Sequence, residues 1–554
     1  MMNYKRYKKA PVIDYPDRQW PGKTIEKAPI WCSVDLRDGN QSLVEPMVIE
    51  EKIEFFRMLV NMGFTEIEAG FPAFSSLEAE FIRTLIEKDL IPDGVKIQVL
   101  SQCRPDMIKK TFETIRGCRD VIFHIYNPVS PLQREVVLGM SREEVIKTAV
   151  DAVRMVREGE TGFDGRLALE YSPESFSCTE PDFALEICEA VKNAWEPGKD
   201  RPLIINLPAT VEAAGPNVFA DQVEWISRHL TDRDKVILSV HAHNDRGCAV
   251  AAAQLALLAG AQRVEGTLFG NGERTGNTDL VACACNLLVS GIDPGLGLEN
   301  MNEIKEVYER CTRMHLDPRR PYAGRLVFTA FSPSHQDAIN KGLKAMEEKG
   351  SDVWQVPYLP IDPQDIGRKY EPIIRINSQS DRDSAAGILE QYYGFRLPEP
   401  MNEELGTEIR KISERQGEVS PSQIMDTFRQ MYIGAKYPLH FKKMRIEDGL
   451  EDSDTRVCLT YTFKGETRTA RGRGNGPIDA AKQAICVAEG LNIRLTMYEQ
   501  QALTTGSDSQ AASYIELMDV DSGRKAFGVG ISSNINRSSM RAIFSAVNRL
   551  FFRR

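Results

Sequence analysis

The chain has 554 residues, 42% of them hydrophobic and 27% charged, which is the composition of a globular protein of two to four domains. Its formal net charge of -10 argues against nucleic acid or an anionic membrane as the main partner. No apolar run reaches the roughly 18–20 residues of a membrane span. The eleven cysteines show no disulfide framework, which suits a reducing cytosol, so we expect a cytoplasmic protein.

Short apolar runs alternate with amphipathic helical stretches from residue 30 to about residue 290. The basic segment before them, residues 1–29, lacks the apolar stretch of a signal peptide and is predicted to be an arm. The runs are nearly continuous, as in parallel strands buried on both faces. Eight strand–helix units predict an α/β fold, a (β/α)8 barrel at residues 30–300, with a doubly wound sheet as the alternative. The runs are IWCSVDLRD, TEIEAGFP, KIQVLSQ, DVIFHIYNP, RLALEYSPE, RPLIINLPAT, KVILSVHAHND and RVEGTLFGNG.

Two further regions follow the predicted barrel. Residues 301–434 are mainly helical and charged, and we predict small helical linker subdomains there. From residue 435 the chain contains a near-repeat of strand, turn, strand, glycine-rich turn and helix, with turns at Lys464-Gly465 and at Asp521-Ser522-Gly523. Two β-β-α units predict a pseudo-symmetric α+β domain at residues 435–554, whose role is binding or regulation rather than catalysis.

Polar side chains cluster at the predicted C-terminal ends of the strands, where the active sites of such barrels lie. Three of the seven histidines of the chain are among them, which chance placement would not favour. Glu170 is read as a structural carboxylate of this rim, without a catalytic role. The polar residues are Arg37, Asp38, His124, Glu170, Ser172, Glu174, Thr210, His241, His243, Glu273 and Asn277.

His241 and His243 end an apolar strand and are two residues apart. Side chains at this spacing on a strand point the same way, so both imidazoles can face the barrel mouth and bind one cation. Asp38 from the first strand and Asn277 from the last loop would complete a mixed nitrogen and oxygen site with open positions. Such donors suit a divalent cation, foremost Mg²⁺, with Mn²⁺ or Zn²⁺ as alternatives.

Six segments carry a resemblance to a known family: DLRDGNQS, EYSPES, NLPATVE, HAHNDRG, GNGERTGN and SHQDAINKG. Together they resemble the α-isopropylmalate synthases, which belong to the acyl-CoA-condensing family. The likeness continues through the linker VPYLPIDPQDIGR and the GNGP of the last domain, as in the longer form with a C-terminal leucine-binding domain. The resemblance implies condensation of acetyl-CoA with 2-oxoisovalerate, release of 2-isopropylmalate and CoA, and feedback inhibition by leucine.

The resemblance also implies roles for single residues and for partners. Arg37 would contact the keto acid and stabilise oxyanion charge, and Glu174 would be the active-site glutamate. The chain would form a homodimer in which His335 and Tyr358 of the linker serve the active site of the partner, and a monovalent cation such as K⁺ would be an activator. The base is left open between a histidine, His335, and a glutamate. The other implied residues are His124, Ser172 and Thr210 in the keto-acid pocket and Asp38, His241, His243 and Asn277 at the metal.

A leucine site is predicted in the repeat domain. Its glycines allow a small ligand to approach the backbone closely, and nearby apolar residues would line a side-chain pocket. The resemblance supplies leucine as the ligand and adds two residues of the pocket wall, Tyr498 and Ala502. Taken singly, each glycine is explained more simply by a tight turn. The predicted set is Gly474, Gly476, Ile478, Leu495, Tyr498, Ala502 and Ile535.

Three alternatives to this function stay open at the level of the sequence. Citramalate and homocitrate synthases belong to the same family and differ in the pocket that accepts the keto-acid side chain, which motifs do not resolve. A metal-dependent lyase on a similar barrel would lack the C-terminal repeat. A non-catalytic sensor would not need a full set of metal ligands beside Arg37.

Overall fold

The computed structural model describes residues 6, 13–199, 201–372, 384–417, 419–433, 437–448, 455–503 and 510–552. Most of the first twelve residues of the predicted arm and residues 373–383 of the predicted linker therefore lie outside the described residues. The chain forms two compact units, Met1–Thr329 with Asp337–Glu371 and Ala330–Gln336 with Pro372–Arg554. Within the described parts of the chain, no helix has the length and apolar character needed to cross a membrane.

Eight strands form the closed barrel that the sequence predicts. Each strand is parallel to the next, and the last strand returns to the first through pairs that run from Ile30↔Arg263 to Ser33↔Gly266. The closure confirms the (β/α)8 barrel and excludes the doubly wound sheet. The strands are β1 (Ile30–Ser33), β2 (Glu66–Gly70), β3 (Lys96–Gln102), β4 (Asp120–Pro128), β5 (Arg166–Glu174), β6 (Leu203–Ala209), β7 (Val236–Ala242) and β8 (Arg263–Gly266).

Helices follow the strands and surround the barrel. A capping box starts the longest of them, because Ser141 Oγ accepts from Glu144 N at 3.2 Å and the Glu144 carboxylate accepts from Ser141 N at 2.7 Å. The helices are α1 (Ile49–Asn61), α2 (Ser76–Glu87), α3 (Pro105–Ile115), α4 (Arg142–Glu160), α5 (Pro181–Trp195), α6 (Pro216–His229), α7 (Ala249–Leu258), α8 (Leu280–Leu288) and α9 (Met301–Thr312).

The interior of the barrel changes from apolar to polar along the strands. Near their N-terminal ends, Ile122, Ala168 and Ile204 form a small apolar cluster. Two residues further along the same strands, on the same faces, lie the buried side chains of His124, Glu170 and Asn206. The next step places Tyr126, Ser172 and Pro208 at the mouth. A layer of buried polar groups therefore lies directly beneath the mouth of the barrel.

Helices and two-residue strands follow the barrel in the chain, up to residue 428. They are β9 (Thr329–Ala330), α10 (Pro333–Lys349), β10 (Glu371–Pro372), α11 (Ser384–Tyr393), α12 (Glu399–Gln416) and α13 (Pro421–Phe428).

Two similar antiparallel sheets, each followed by a helix, complete the second unit and confirm the predicted repeat. Each repeat has one strand more than predicted, because the first strand in each is polar and largely exposed. The first repeat consists of β11 (Leu439–Asp448), β12 (Thr455–Phe463), β13 (Glu466–Gly474) and α14 (Pro477–Glu489). The second consists of β14 (Ile493–Ala502), β15 (Ala511–Asp519), β16 (Lys525–Ser532) and α15 (Ile535–Val547).

Strands β15 and β16 of the second sheet are buried on both faces. Ile515 and Leu517 belong to a core that the two repeats share, together with helices α14 and α15. Tyr514 and Val529, on the opposite face, belong to a second core that is otherwise made by helices α11–α13. The sheet is thus the middle layer of the second unit, with helices on either side.

Glycines on the last strand of each repeat allow the following helix to lie close to the sheet. A Cβ at Gly530 would stand 1.9 Å from Ser538 O, and one at Gly528 would stand 2.2 Å from Ala542 O. In the first repeat, a Cβ at Gly472 would stand 2.1 Å from Ala480 O. No side-chain movement removes a contact with backbone, so these positions require glycine for packing.

Replacement of Gly530 by alanine is expected to destabilise the second unit. The helix must move away from the sheet to accept the methyl group, which costs about 1–3 kcal/mol of the free energy of unfolding for overpacking of this kind. The measurement is the unfolding midpoint in urea or on heating. Gly387→Ala in α11, where a Cβ meets nothing within 4 Å, is the matched control and should be neutral or stabilising. Equal midpoints for the two variants would contradict the packing argument.

Candidate active site

A cavity of about 680 Å³ opens at the C-terminal ends of the barrel strands. Its wall combines apolar groups, such as Leu100 and Pro208, with a concentration of charged and polar side chains. This is the form expected of a site that encloses a small polar substrate. The predicted residues that line it are Arg37, Asp38, His124, Ser172, Glu174, Thr210, His241 and His243.

Three of the predicted metal ligands lie together in this cavity. Asp38 belongs to a short helical turn, Asp35–Gly39, that follows β1. Its Oδ2 lies 3.6 Å from His241 Nε2 and 3.9 Å from His243 Nε2. Asn277 Nδ2 donates to the same oxygen at 2.7 Å. Ligand atoms of the carboxylate and the two imidazoles all fall within 4.8 Å of one another, so the three side chains can surround one cation.

Two buried polar atoms around this group fit a cation site. Asn277 Oδ1 and His243 Nδ1 have no hydrogen-bond partner among the described residues, although buried polar atoms in proteins are nearly always bonded. An amide oxygen, two imidazoles and a carboxylate are donors that Mg²⁺, Mn²⁺ and Zn²⁺ accept. The residues that are present therefore fit a divalent metal.

The electrostatics of the two histidines differ. Burial lowers the pKa of His243 to about 4, assisted by the charge of His241, so this imidazole is neutral and able to act as a ligand. Burial also disfavours a charge on His241, but its hydrogen bond with Glu265 and the nearby Asp38 carboxylate raise its pKa to about 9. Burial likewise opposes ionisation of Asp38, yet the charge of Arg37 lowers its pKa well below the usual range. The carboxylate is therefore ionised.

Arg37 lies beside the metal group and is itself held by carboxylates. Its Nη1 donates to Asp38 Oδ1 at 2.7 Å, and its Nε donates to Glu68, which is fully buried on β2. Glu68 Oε1 also lies 2.9 Å from His124 Nδ1. The guanidinium is fixed in orientation at the cavity wall, where it supplies a permanent positive charge.

His124 and Ser172 form one side of the cavity. His124 Nε2 lies 2.8 Å from Ser172 Oγ, and Asn206 Nδ2 donates to the same hydroxyl oxygen at 3.0 Å. Because the Glu68 carboxylate occupies His124 Nδ1, the proton of a neutral imidazole lies on Nδ1 and Nε2 accepts from Ser172. The three residues thus have defined donor directions.

Glu174 ends β5, two residues beyond Ser172, and Thr210 directly follows the neighbouring strand β6. Thr210 Oγ1 accepts from Ser175 N at 2.9 Å, and its carbonyl accepts from Arg274 Nη2 at 2.6 Å. Burial raises the pKa of Glu174, and a hydrogen bond with Gln133 offsets part of this change. A carboxyl group with a raised pKa at the edge of a cavity is suited to exchange protons at a higher pH than an ordinary glutamate.

Glu170 does not lie on the rim, and this prediction was wrong. It is fully buried, because it precedes Ser172 by two residues on the same face of β5 and so lies one layer deeper in the barrel. Its oxygens lie 3.5 Å from His124 Nε2 and 3.3 Å from Arg263 Nη2 and have no hydrogen bond to any described residue. Burial raises its pKa well above the usual value despite the charge of Arg263.

Comparisons with known proteins match nearly the whole length of the chain. Residues 28–307 match the HMGL-like family, residues 325–390 match the alpha-isopropylmalate synthase post-catalytic domain, and residues 418–551 match the LeuA allosteric (dimerisation) domain. The 2-isopropylmalate synthase of Rhodospirillum rubrum is 50% identical over 551 residues, which cover 99% of this chain and 98% of the relative. The 2-isopropylmalate synthase of Clostridium acetobutylicum is 49% identical and covers 99% of each chain.

The chain belongs to the 2-isopropylmalate synthase family. The resemblance inferred from six segments is therefore confirmed, and the protein belongs to an enzyme family of the acyltransferase type. The full-length match to 2-isopropylmalate synthases also argues against the lyase and the sensor.

Two residues predicted for the active site of this 2-isopropylmalate synthase family member lie outside the cavity wall. Tyr358 is 62% exposed and has a positive φ of 64°. His335 lies near the start of α10 and is exposed, and it belongs to the second compact unit. That these two residues act at the active site of a partner subunit stays a prediction.

The predicted leucine-site residues of this family member fall into three groups: two glycines, two residues at the edge of a core and three exposed residues. Gly474 permits close packing, since a Cβ there would stand 2.5 Å from Asp479 Oδ2, whereas a Cβ at Gly476 would meet nothing within 4 Å. Ile478 and Leu495 pack at the edge of the shared core of the repeats. The exposed residues are Tyr498, Ala502 and Ile535.

Sequence reasoning missed the polar layer beneath the cavity of this 2-isopropylmalate synthase family member. Its members lie inside the strands, well before the ends of the predicted runs. The sequence does indicate them, because charged or polar residues stand at every second position of otherwise apolar runs, as in EIE of β2 and RVE of β8. The missed residues are Glu66, Glu68, Gln98, Asn206, Arg263 and Glu265.

Proposed function

We propose that this protein is a 2-isopropylmalate synthase. It condenses acetyl-CoA with 2-oxoisovalerate and hydrolyses the thioester to give 2-isopropylmalate and CoA, the first committed step of leucine biosynthesis. The observation that carries the proposal is the grouping of Asp38, His241 and His243 beside Arg37 in the barrel cavity. The 50% sequence identity to the 2-isopropylmalate synthase of Rhodospirillum rubrum, over 99% of this chain, supports it.

The proposed metal ligands are Asp38, His241, His243 and Asn277, with Mg²⁺ as the proposed ion and K⁺ as a monovalent activator. When bound, a divalent cation polarises the keto group of the 2-oxo acid and makes its carbonyl carbon a better electrophile. Arg37 adds a fixed positive charge where the alkoxide develops. It is suited to this role because Glu68 and Asp38 hold its guanidinium in one orientation.

The keto acid is proposed to bind at the cavity mouth, above the ends of β4, β5 and β6. The Thr210 hydroxyl holds the substrate carboxylate, and Ser172 and His124 contact the substrate from the two neighbouring strands. The apolar Leu100 and Pro208 in the same wall suit a branched aliphatic side chain. This orientation fixes the keto carbon in front of the acetyl group, which lowers the entropic part of the barrier.

The proposed substrate is tested by an assay of CoA thiol release with a panel of 2-oxo acids. We expect the highest kcat/KM with 2-oxoisovalerate, and lower values with pyruvate and 2-oxoglutarate, because the latter carries a second carboxylate into an apolar wall. Preference for pyruvate would instead identify a citramalate synthase, and preference for 2-oxoglutarate a homocitrate synthase.

The base that removes a proton from the acetyl methyl group is proposed to be Glu174 or His335. If it is Glu174, kcat/KM falls as the pH drops through the pKa of this carboxyl group, because only the ionised form accepts a proton. Since burial raises this pKa, the fall occurs at a higher pH than for an ordinary glutamate.

Glu174→Gln is therefore expected to reduce kcat by about 10²–10⁴-fold at every pH and to abolish this acidic limb. The measurement is the pH profile of kcat/KM for the wild-type enzyme, Glu174→Gln and His335→Asn. An unchanged profile in Glu174→Gln, with loss of the limb in His335→Asn, would assign the base to His335.

A homodimer is proposed, in which His335 and Tyr358 of one subunit act at the barrel of the other. The match to the LeuA allosteric (dimerisation) domain supports the dimer. Large apolar side chains are also exposed on the segments that follow β1, β2 and β4, as expected of a surface that another chain covers. They include Val44, Phe74, Leu132, Val136 and Val137.

A mixture of two inactive variants, Arg37→Ala and His335→Ala, is expected to regain activity after subunit exchange. In the mixed dimer, one barrel retains Arg37 and receives an intact His335 from the other subunit, so up to about one quarter of the wild-type rate should return at equal mixing. The measurement is the rate of CoA release after co-refolding, with mass analysis of differently tagged subunits to verify mixed dimers. Mixed dimers without activity would contradict sharing of the active site.

We also propose that the repeat domain binds leucine and that binding there slows catalysis. The match of residues 418–551 to the LeuA allosteric (dimerisation) domain supports a regulatory role, and the exposed Tyr498, Ala502 and Ile535 are available to a ligand. Inhibition requires that leucine bind one state of the enzyme better than another, with a typical coupling of about 1–3 kcal/mol.

A further inference from the structure

We propose that Glu265 is a positioning residue that fixes the tautomer of His241 and couples this metal ligand to the keto-acid pocket. The inference rests on the proposed function, because it concerns the metal and the 2-oxo acid of that reaction. Glu265 lies on β8 in the buried layer beneath the cavity.

The carboxylate of Glu265 receives four hydrogen bonds, two on each oxygen. Oε2 accepts from His241 Nδ1 at 2.9 Å and from Asn206 Nδ2 at 3.2 Å. Oε1 accepts from Gln98 Nε2 at 2.8 Å and from Arg263 Nη1 at 3.0 Å. An ionised carboxylate has about four acceptor positions, so all are used and none is left for a carboxyl proton. Rotation of the group would break several bonds at once, which makes its orientation rigid.

This rigid acceptor determines which nitrogen of His241 can bind a cation. Because the ionised carboxylate can only accept, the shared proton lies on His241 Nδ1. When the ring carries only this one proton, its lone pair lies on Nε2, the atom that faces Asp38 Oδ2 at 3.6 Å. A carboxylate behind a histidine ligand orients the ring and increases its basicity in many metal sites. Glu265 is placed to perform this function for His241.

The same carboxylate is connected to the keto-acid side of the cavity. The Asn206 amide that donates to Glu265 also donates to Ser172 Oγ at 3.0 Å. Ser172 Oγ in turn lies 2.8 Å from His124 Nε2. A movement of Glu265 therefore changes the positions of a metal ligand and of the Ser172 hydroxyl together.

A purely structural role would make Glu265 no more than a counter-charge for the buried Arg263. The chain offers a matched control for this alternative, because Arg263 Nε donates to Glu66 Oε2 at 2.6 Å. Glu66 is also buried, but it does not line the cavity and makes no contact with His241 among those of the described residues. Glu66→Gln thus removes a carboxylate from Arg263 and leaves the metal group untouched.

The experiment compares full-length wild-type enzyme, Glu265→Gln and Glu66→Gln after removal of metal with a chelator. Mn²⁺ binding is followed by electron paramagnetic resonance, the visible spectrum of the Co²⁺ form reports ligand geometry, and kcat and KM for 2-oxoisovalerate are measured separately. We expect Glu265→Gln to weaken Mn²⁺ binding by about 10–100-fold, to alter the Co²⁺ spectrum and to raise KM. We expect Glu66→Gln to bind Mn²⁺ within about threefold of wild type, because the hydrogen bond between Glu265 and His241 is left intact.

A further variant covers the case in which Glu265→Gln does not fold. Glu265→Asp keeps the charge beside Arg263 but withdraws the carboxylate from His241 by one methylene group, so it should also weaken Mn²⁺ binding. Wild-type affinity in a folded Glu265 variant, or an equal loss in Glu66→Gln, would overturn the positioning role. Failure of the wild-type enzyme itself to bind a divalent cation would instead overturn the metal part of the proposed function.

Discussion

Replacement of His241 by alanine is expected to remove the divalent metal and to reduce kcat/KM by on the order of a thousandfold or more. The imidazole is one of three groups that converge on one point, and polarisation of the keto group contributes several kcal/mol to the barrier in metal-dependent enzymes. The fold should persist, because His241 lies at the mouth end of β7 rather than in the apolar core.

The measurements for this variant are metal content after dialysis against Mg²⁺ or Mn²⁺, steady-state kinetics and the melting temperature. His229→Ala is the matched control, because His229 is an exposed histidine at the end of α6 whose ring stacks on Trp225. It should retain metal and activity. Near-normal turnover by metal-depleted His241→Ala would show that the site is not a catalytic metal centre.

Replacement of Ala502 by phenylalanine is expected to abolish inhibition by leucine with little change in kcat. Ala502 is exposed at the end of β14, so a larger side chain fills the proposed ligand pocket without disturbing a core. A loss of the coupling predicts that the leucine concentration for half-inhibition rises by about 5–150-fold.

The measurement for this variant is leucine binding by calorimetry together with inhibition of the full-length enzyme. Arg494→Phe, at the other end of the same strand and also exposed, is the control and should remain sensitive. Inhibition that is competitive with 2-oxoisovalerate and unchanged in Ala502→Phe would place leucine in the barrel instead.

A point variant is a better test of this regulation than removal of the repeat domain. Truncation near residue 430 would leave helices α11–α13 without Tyr514, Phe527 and Val529, which complete their core. The truncated enzyme would expose a large apolar surface, and loss of inhibition in it could follow from aggregation alone.

The barrel could be predicted from the sequence because strands that are buried on both faces consist of nearly continuous runs of apolar residues. The residues at the strand ends could be predicted for a similar reason, since polar letters there interrupt an apolar pattern. Asp38, His241 and His243 are brought together as the spacing predicted.

The buried polar layer could not be predicted in the same way, because its members stabilise one another across strands that are distant in sequence. Glu66 and Arg263 are 197 positions apart and have no local pattern in common. Considered alone, each of these two charged residues is more simply explained as a solvent-exposed side chain. Only the closure of the barrel shows that the two charges pair inside it.

The placement of the β14–β16 sheet between two helical layers has a consequence for the order of synthesis. Helices α11–α13 are complete by residue 428, whereas their last partner strand, β16, ends at Ser532, about 100 residues later. At ribosomal speeds of roughly 5–20 residues per second, this interval lasts about 5–20 s. During it, Leu405, Ile409 and Phe428 have no sheet to cover them. The unit therefore completes its core only after β16 has been synthesised, and until then the apolar faces of these helices are open to aggregation.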